Sequence, residues 1–336
     1  CWLYLNKAGQ LQLPQTDLVA VVALALAFML RVLLGAFTDG YPVDIGCFQA
    51  WSLRMADKTP VGFYAPDYFC DYPPGYMLLL WPGGLLLRAV WPMGSEALNL
   101  LVLKSVPLVC DMVTAMLLYR HGRKRLKPAV AAAVSALYAF NPAVLINGAV
   151  WGQVDSVLAM LLILCAIYAM QERWVVALPI YFVSILVKPQ ALLFAPVAGI
   201  WLLMSLFGVM GKTFKEQSRE FYRGLGIGIA AAVAIVLPFS VFQEKPLGWL
   251  FELYGQTLSS YAYATVNTAN LYYLMAANWV PLTAKLPALL PLLTTAVLAG
   301  IGAWLYHAAR KQNAQLPKTK NGQLSLLLLG FAVINL

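Results

Sequence analysis

What most constrains this chain is a succession of apolar runs close in length to the thickness of a bilayer. Residues 18–37, 98–119, 128–147, 189–207, 224–241 and 286–308 each approach the roughly 20 apolar residues that a helix needs to cross hydrocarbon. Shorter runs lie at 76–91, 156–171, 174–187 and 271–283, and a last one begins at Leu324. Lipid offers backbone N–H and C=O groups no partner, so runs of this kind become helices. Composition agrees: 61% hydrophobic against 11% charged residues, with a mean hydropathy of +0.73, leaves too little polar surface for a soluble domain. A net charge of +9 would suit nucleic acid, but the basic residues sit in short runs between apolar segments, as in cytoplasmic membrane loops. The expected partner is the lipid bilayer, with no nucleic acid.

Three basic clusters set the sides: Arg120, Arg123, Lys124, Arg125 and Lys127; Lys212, Lys215, Arg219 and Arg223; Arg310, Lys311, Lys318 and Lys320. All are expected to be cytoplasmic. Residues 38–76 then lie opposite the first cluster only if an odd number of spans separates them. The run 76–91 carries Arg88 and is interrupted by Trp81-Pro82-Gly83-Gly84, so it is read as a juxtamembrane or re-entrant helix lining a cavity. The run 271–283, with Pro281 and Asn278, is likewise expected not to cross. The result is an all-α polytopic membrane protein with about eight complete crossings and one truncated by the end of the sequence. The absence of an initiating Met and the short final run read as a piece of a longer chain, and the first apolar stretch, long enough to span and followed by no small-residue cleavage site, is not expected to be a signal peptide.

The longest polar stretch, residues 38–76, holds Asp39, Asp44, Asp57, Asp67 and Asp71 among Tyr, Trp and Phe, which suggests a folded loop on the extracytoplasmic or lumenal side. Cys47 and Cys70 lie within it, either disulfide-bonded or as free thiols. Topology brings other polar groups to the same side: Trp151, Gln153 and Asp155, then Lys188 and Gln190, then Asn267 and Asn270. Each has a plain alternative. Asp39, Asp71 and Asp155 suit helix caps or turns, the asparagines suit a loop, and Lys188 can snorkel. Lys104 and Asp111 stand two helical turns apart on one face, about 10 Å along the axis, either to bind substrate or to staple helices. The two histidines, His121 and His307, lie beside cytoplasmic clusters, so no imidazole base or His-rich zinc site is expected outside. No glycine-rich nucleotide loop is present. A carboxylate is left as the outer base, and a lysine could neutralise a phosphate leaving group.

These motifs have a familiar order. Val43-Asp44 with Trp51, followed by Asp71-Tyr72-Pro73-Pro74-Gly75-Tyr76, resembles the first outer loop of GT-C-fold glycosyltransferases that use a polyprenyl-phosphate sugar. The pattern is most similar to the endoplasmic-reticulum glucosyltransferases acting on lipid-linked oligosaccharides and to mannosyltransferases related to the second GPI-anchor mannose transferase. Lys104 and Asp111 resemble a family Arg and Asp at the same spacing. Trp151-Gly152-Gln153-Val154-Asp155-Ser156 resembles His-Phe-Gln-Tyr-Asn-Ser, and Lys188-Pro189-Gln190 with Ala195-Pro196 resembles Lys-Gln-Met followed by Ala-Pro. The likeness spans roughly residues 18–200.

The resemblance implies a GT-C fold of eight to ten spans, with a catalytic module over residues 1–241 and a variable module from 242 to 336. It implies an inverting hexosyl transfer, mannose or glucose, from a polyprenyl-phosphate donor to a lipid or glycan acceptor, with Asp44 as general base. Neither metal nor other cofactor is then required. Asp39, Asp71, Tyr72, Trp151, Gln153, Asp155, Lys104, Asp111, Lys188, Gln190, Asn267 and Asn270 are the candidates for binding substrate, Lys188 and Lys104 through the phosphate. The chain departs from the family where Gly46, Cys47 and Phe48 replace Glu-Ala-Gln, and where Lys104 replaces an Arg able to grip bidentately. A transporter or lipid-sugar flippase would also account for the spans and for Lys104 and Asp111, though it leaves residues 71–76 without a role. A non-catalytic membrane subunit is a third reading.

Overall fold

Helices stand over the apolar runs 18–37, 76–91, 98–119, 156–171, 174–187 and 224–241. The computed structural model describes residues 4–5, 11–12, 15–90, 94–195, 198–199, 202, 213–246, 248–260, 263, 265–266 and 271–281. Two short strands, β1 (Tyr4–Leu5) and β2 (Leu11–Gln12), pair antiparallel ahead of the first helix. The helices are α1 (Gln15–Phe37), α2 (Pro42–Lys58), α3 (Pro74–Val90), α4 (Glu96–Gly122), α5 (Pro128–Ala139), the single turn α6 (Pro142–Val144), α7 (Asp155–Ala169), α8 (Trp174–Val187), α9 (Phe214–Ser240), α10 (Gly248–Ser259) and the single turn α11 (Leu271–Leu274). The chain folds into two compact units, one of Cys1–Cys70 with Tyr76–Ile163, the other of Asp71–Gly75 with Leu164–Leu336. The expected module 1–241 thus comprises the first unit and part of the second.

Among the described residues, three helices are long and apolar enough to cross a membrane: α1, α4 and α9. A fourth results if α5 and the segment Pro142–Trp151, bent by 41° at a short break, form one span. This is fewer than the sequence reading expects. The runs 156–171 and 174–187 fold as helices of 15 and 14 residues, about 21–23 Å at the helical rise, short of the ~30 Å core. The run 189–207 opens as a 3₁₀ turn, Pro189–Phe194, and most of its remainder lies outside the described residues, as do 286–308 and the run from Leu324. Of the segment 271–283, the described residues 271–281 hold one helical turn followed by bridges pairing Tyr263 with Pro281 and Thr265 with Asn278.

Two expectations about residues 38–90 change. The stretch 38–76 is not only loop, because 17 of its residues form α2. Pro42 opens that helix, Asp44 stands in its first turn and Lys58 in its last, charges that complement the helix dipole. Its buried side is Ile45, Phe48, Trp51, Ser52 and Met55, spaced by three and four. Nor do Trp81-Pro82-Gly83-Gly84 interrupt α3, which runs through them. Glycine serves close approach there: a Cβ on Gly84 would collide with the Ser52 carbonyl of α2.

In the first unit, α1, α4 and α5 pack together through small side chains. Ala27, Ala115 and Ala139 join Leu24 in one buried cluster, and Ala20 and Ala131 flank Tyr119 in another. Such contacts let helix backbones approach closely without help from water. In the second unit α8 packs on α9, where Gly224 meets the Trp174 carbonyl and Gly228 the Phe182 ring.

Candidate active site

Asp44 is positioned by two sharp corners. At the first, the Thr38 hydroxyl donates to Leu34 O at 2.6 Å, closing the end of α1, and Gly40 at φ +79° turns the chain into α2. At the second, a π-helix, Leu145–Trp151, ends on Gly152 at φ +90°. The N–H groups of Gly152 and Gln153 both donate to Asn147 O, at 3.1 and 3.0 Å. Wider π turns of this sort recur at functional sites because they re-aim side chains. Tyr41 N–H donates to Trp151 O at 3.2 Å, joining the corners. Ile45 fills the space between them: a Cβ on Gly40 would lie 2.6 Å from its Cγ1, and one on Gly152 2.7 Å from its Cδ1. Both positions therefore require glycine for space as well as for backbone angle.

The consequence is a carboxylate held from one side. Trp151 Nε1 donates to Asp44 Oδ2 at 2.7 Å and Gln153 Nε2 donates to the same oxygen at 2.6 Å. Among the described residues Oδ1 has no donor. Asp44 is half-buried, while the rings beside it are open: Tyr41 is 47% and Trp151 39% exposed, with centroids 5.1 Å apart and planes at 42°. A fixed carboxylate with one oxygen unengaged, next to exposed aromatic faces, is equipped to accept a proton from a bound hydroxyl. Asp155 does not join it; it starts α7 and accepts from Asn147 Nδ2 at 3.1 Å, tying the π-helix to the next helix.

Lys104 and Asp111 are both fully buried, each with protein partners. Lys104 Nζ donates to Thr38 O at 2.6 Å, Thr38 Oγ1 at 3.1 Å and Val150 O at 3.0 Å. Asp39 lies exposed just beyond the end of α1. Asp111 accepts from Arg31 Nε at 3.3 Å and from the Tyr138 hydroxyl at 3.2 Å. Arg31 also donates to Ala139 O at 2.6 Å and Ala27 O at 3.3 Å, joining α1, α4 and α5. A Cβ on Gly148 would stand 2.8 Å from Asp111 Oδ2, so the π-helix lies directly against this pair. Arg31 is missed by the sequence reading although it announces itself as a cation inside an apolar run. Tyr41 and Asn147 carry no comparable signal.

In the second unit Lys188 is nearly buried, its Nζ 5.9 Å from the centre of the Tyr72 ring. Gly75 lies on the backbone of α8, where an added Cβ would meet Leu186 O at 2.6 Å. Asp71 offers its backbone carbonyl to Thr257 Oγ1 at 2.9 Å, and Gln190 is exposed on the 3₁₀ turn. Asn267 and Asn270 lie outside the described residues.

Cys47 and Cys70 are not joined in a disulfide. Between α2 and α3, burial raises the Tyr68 phenol above its ordinary value, opposed by the Arg54 guanidinium 3.9 Å from the ring centre. Among the described residues no three His, Cys, Asp or Glu side chains gather as a metal site would require. Compared as a whole with the models of known protein families and with curated proteins, the chain matches neither.

Proposed function

We propose that the protein is a GT-C-type membrane glycosyltransferase of eight to ten spans that moves a hexose, with inversion, from a polyprenyl-phosphate donor to a lipid or glycan hydroxyl. Asp44 takes the proton of the acceptor hydroxyl as its oxygen attacks C1 of the sugar. The bond from C1 to the phosphate oxygen breaks, and the lipid phosphate leaves with the electron pair. Such a donor already carries a good leaving group, so a base and exact placement do most of the work. The single observation that supports this reading is the pairing of Asp44 Oδ2 with Trp151 Nε1 and Gln153 Nε2, which leaves Oδ1 without a donor among the described residues. It joins two of the motifs on which the resemblance rests, from segments far apart in the chain.

The test compares the wild type and Asp44→Asn in proteoliposomes supplied with a synthetic polyprenyl-phosphate hexose and a panel of acceptors. Transfer by the wild type, reduced by about 10²–10⁴-fold in the variant, is expected from loss of a general base. Equal transfer by both would remove Asp44 from the chemistry. No transfer by either, with the lipid-linked sugar moving across the bilayer, would return the protein to the transporters.

A further inference from the structure

We infer that Lys104 is a positioning residue that holds the Asp44 site in shape and does not itself take the donor phosphate. The inference rests on the reading of Asp44 as the base. An ammonium group has three protons to donate, and Lys104 has three acceptors within reach: Thr38 O, Thr38 Oγ1 and Val150 O, at 2.6, 3.1 and 3.0 Å. The side chain is fully buried. A phosphate oxygen would have to displace one of those acceptors and leave a buried carbonyl or hydroxyl unpaired, which is costly.

The identity of the acceptors explains what the cation is for. Thr38 directly follows α1, and Val150 is the penultimate residue of the π-helix. Both are helix C-termini, where carbonyls lack helical partners and the dipole favours a positive charge. One ammonium therefore ties together two helix ends that would otherwise repel. The next residue after Val150 is Trp151, and three residues beyond Thr38 is Tyr41, the pair whose backbones are joined at 3.2 Å.

The lysine stem belongs to the same joint: a Cβ on Gly152 would lie 3.3 Å from Lys104 Cγ and 3.4 Å from Cε, on the glycine that also abuts Ile45. Any slip between the two helix ends is passed on to Trp151 and Gln153, and so to the donors that orient Asp44. Misplacement by about 1 Å at a reacting centre costs on the order of 100-fold in rate.

The experiment uses the full-length protein in lipid nanodiscs and the variants Lys104→Met, Lys104→Arg and Thr38→Val. Lys104→Met is expected to lower kcat by about 100-fold while leaving KM for the donor within about threefold, because geometry and not binding is lost. Affinity for an unreactive polyprenyl phosphate should likewise stay within about threefold. Hydrogen exchange at the Tyr41 amide should quicken by about tenfold or more as the joint loosens. Lys104→Arg, which keeps a cation and donors, should recover part of kcat.

Lys104→Met with wild-type exchange and kcat would overturn the inference. So would a tenfold loss of lipid-phosphate affinity at unchanged kcat, which is the signature of a phosphate ligand. If the methionine variant does not fold, the arginine variant and Thr38→Val carry the same two readouts, with smaller gains in exchange. If the wild type transfers no sugar, faster exchange at Tyr41 still upholds the joint while the transferase reading falls.

Discussion

Asp44 and Asp111 are two carboxylates of one folded unit, and their surroundings give them opposite work. Asp111 is fully buried and faces the Arg31 guanidinium, with the Tyr138 hydroxyl as a further donor. Asp44 is half-buried, has only neutral N–H donors, both on one oxygen, and borders exposed aromatic rings. A buried charge in apolar surroundings is tolerable only when paired, and once paired it has little left for a ligand. A carboxylate fixed by neutral donors keeps its charge unmatched and one edge available. The same residue type thus staples helices in one place and, as the proposed function has it, stands ready for a substrate in the other.

Breaking each carboxylate in turn tests this contrast. The largest effect expected is on activity: Asp44→Asn should lower hexose transfer by about 10²–10⁴-fold with the thermal midpoint in detergent nearly unchanged, as measured on one preparation. Asp111→Asn should do the reverse to stability, since it strands Arg31 and costs about 3–5 kcal/mol. Replacing both partners, Arg31→Met with Asp111→Leu, should recover most of that loss, because the penalty lies in the unpaired charge and not in the missing pair. A thermal-unfolding comparison of the single and double variants decides it.

Smaller effects sharpen the comparison. Trp151→Phe keeps an aromatic face and removes one donor to Asp44, so kcat should fall by about 10–100-fold, in line with one charge-assisted hydrogen bond, while stability holds. The exposed pair Lys245–Glu252, 2.8 Å apart, should matter least, and Glu252→Gln should leave the melting temperature within error. Its bond to Glu252 raises the Lys245 ammonium above its ordinary value. Whatever the pair contributes is present below the ordinary lysine range and is lost as pH rises through the raised folded value. A pH titration of stability that moved elsewhere would point to another group.

Much of this was legible in the chain. The aromatic-rich acidic stretch before the second apolar run held Asp44 among five aspartates, the family resemblance singled it out, and the WGQVDS sequence marked Trp151 and Gln153. The spacing of Lys104 and Asp111 correctly put both inside a helix, on its buried side. Arg31 was overlooked because its spacing relates it to nothing nearby; its partner lies 80 residues away. The helix within residues 38–76 was overlooked because its apolar residues alternate with polar and charged ones, and such a stripe reads as loop unless it is followed at helical period. The number of crossings was only partly legible for a related reason. Apolar length marks a helix as buried in something, and the 14 and 15 residues of α8 and α7 do not say whether that is lipid or protein.

The sequence alone determined that this is a helix-rich chain suited to lipid, with its few charges gathered at particular places, because hydrocarbon leaves backbone groups no other partner. The tertiary structure decided which charge meets which. Asp44 finds Trp151 and Gln153 across 107 and 109 residues, and Lys104 finds Thr38 across 66. Such meetings depend on how small residues let α1, α4 and α5 close together and on the two glycine corners that aim their ends, and no local pattern encodes distances of that kind.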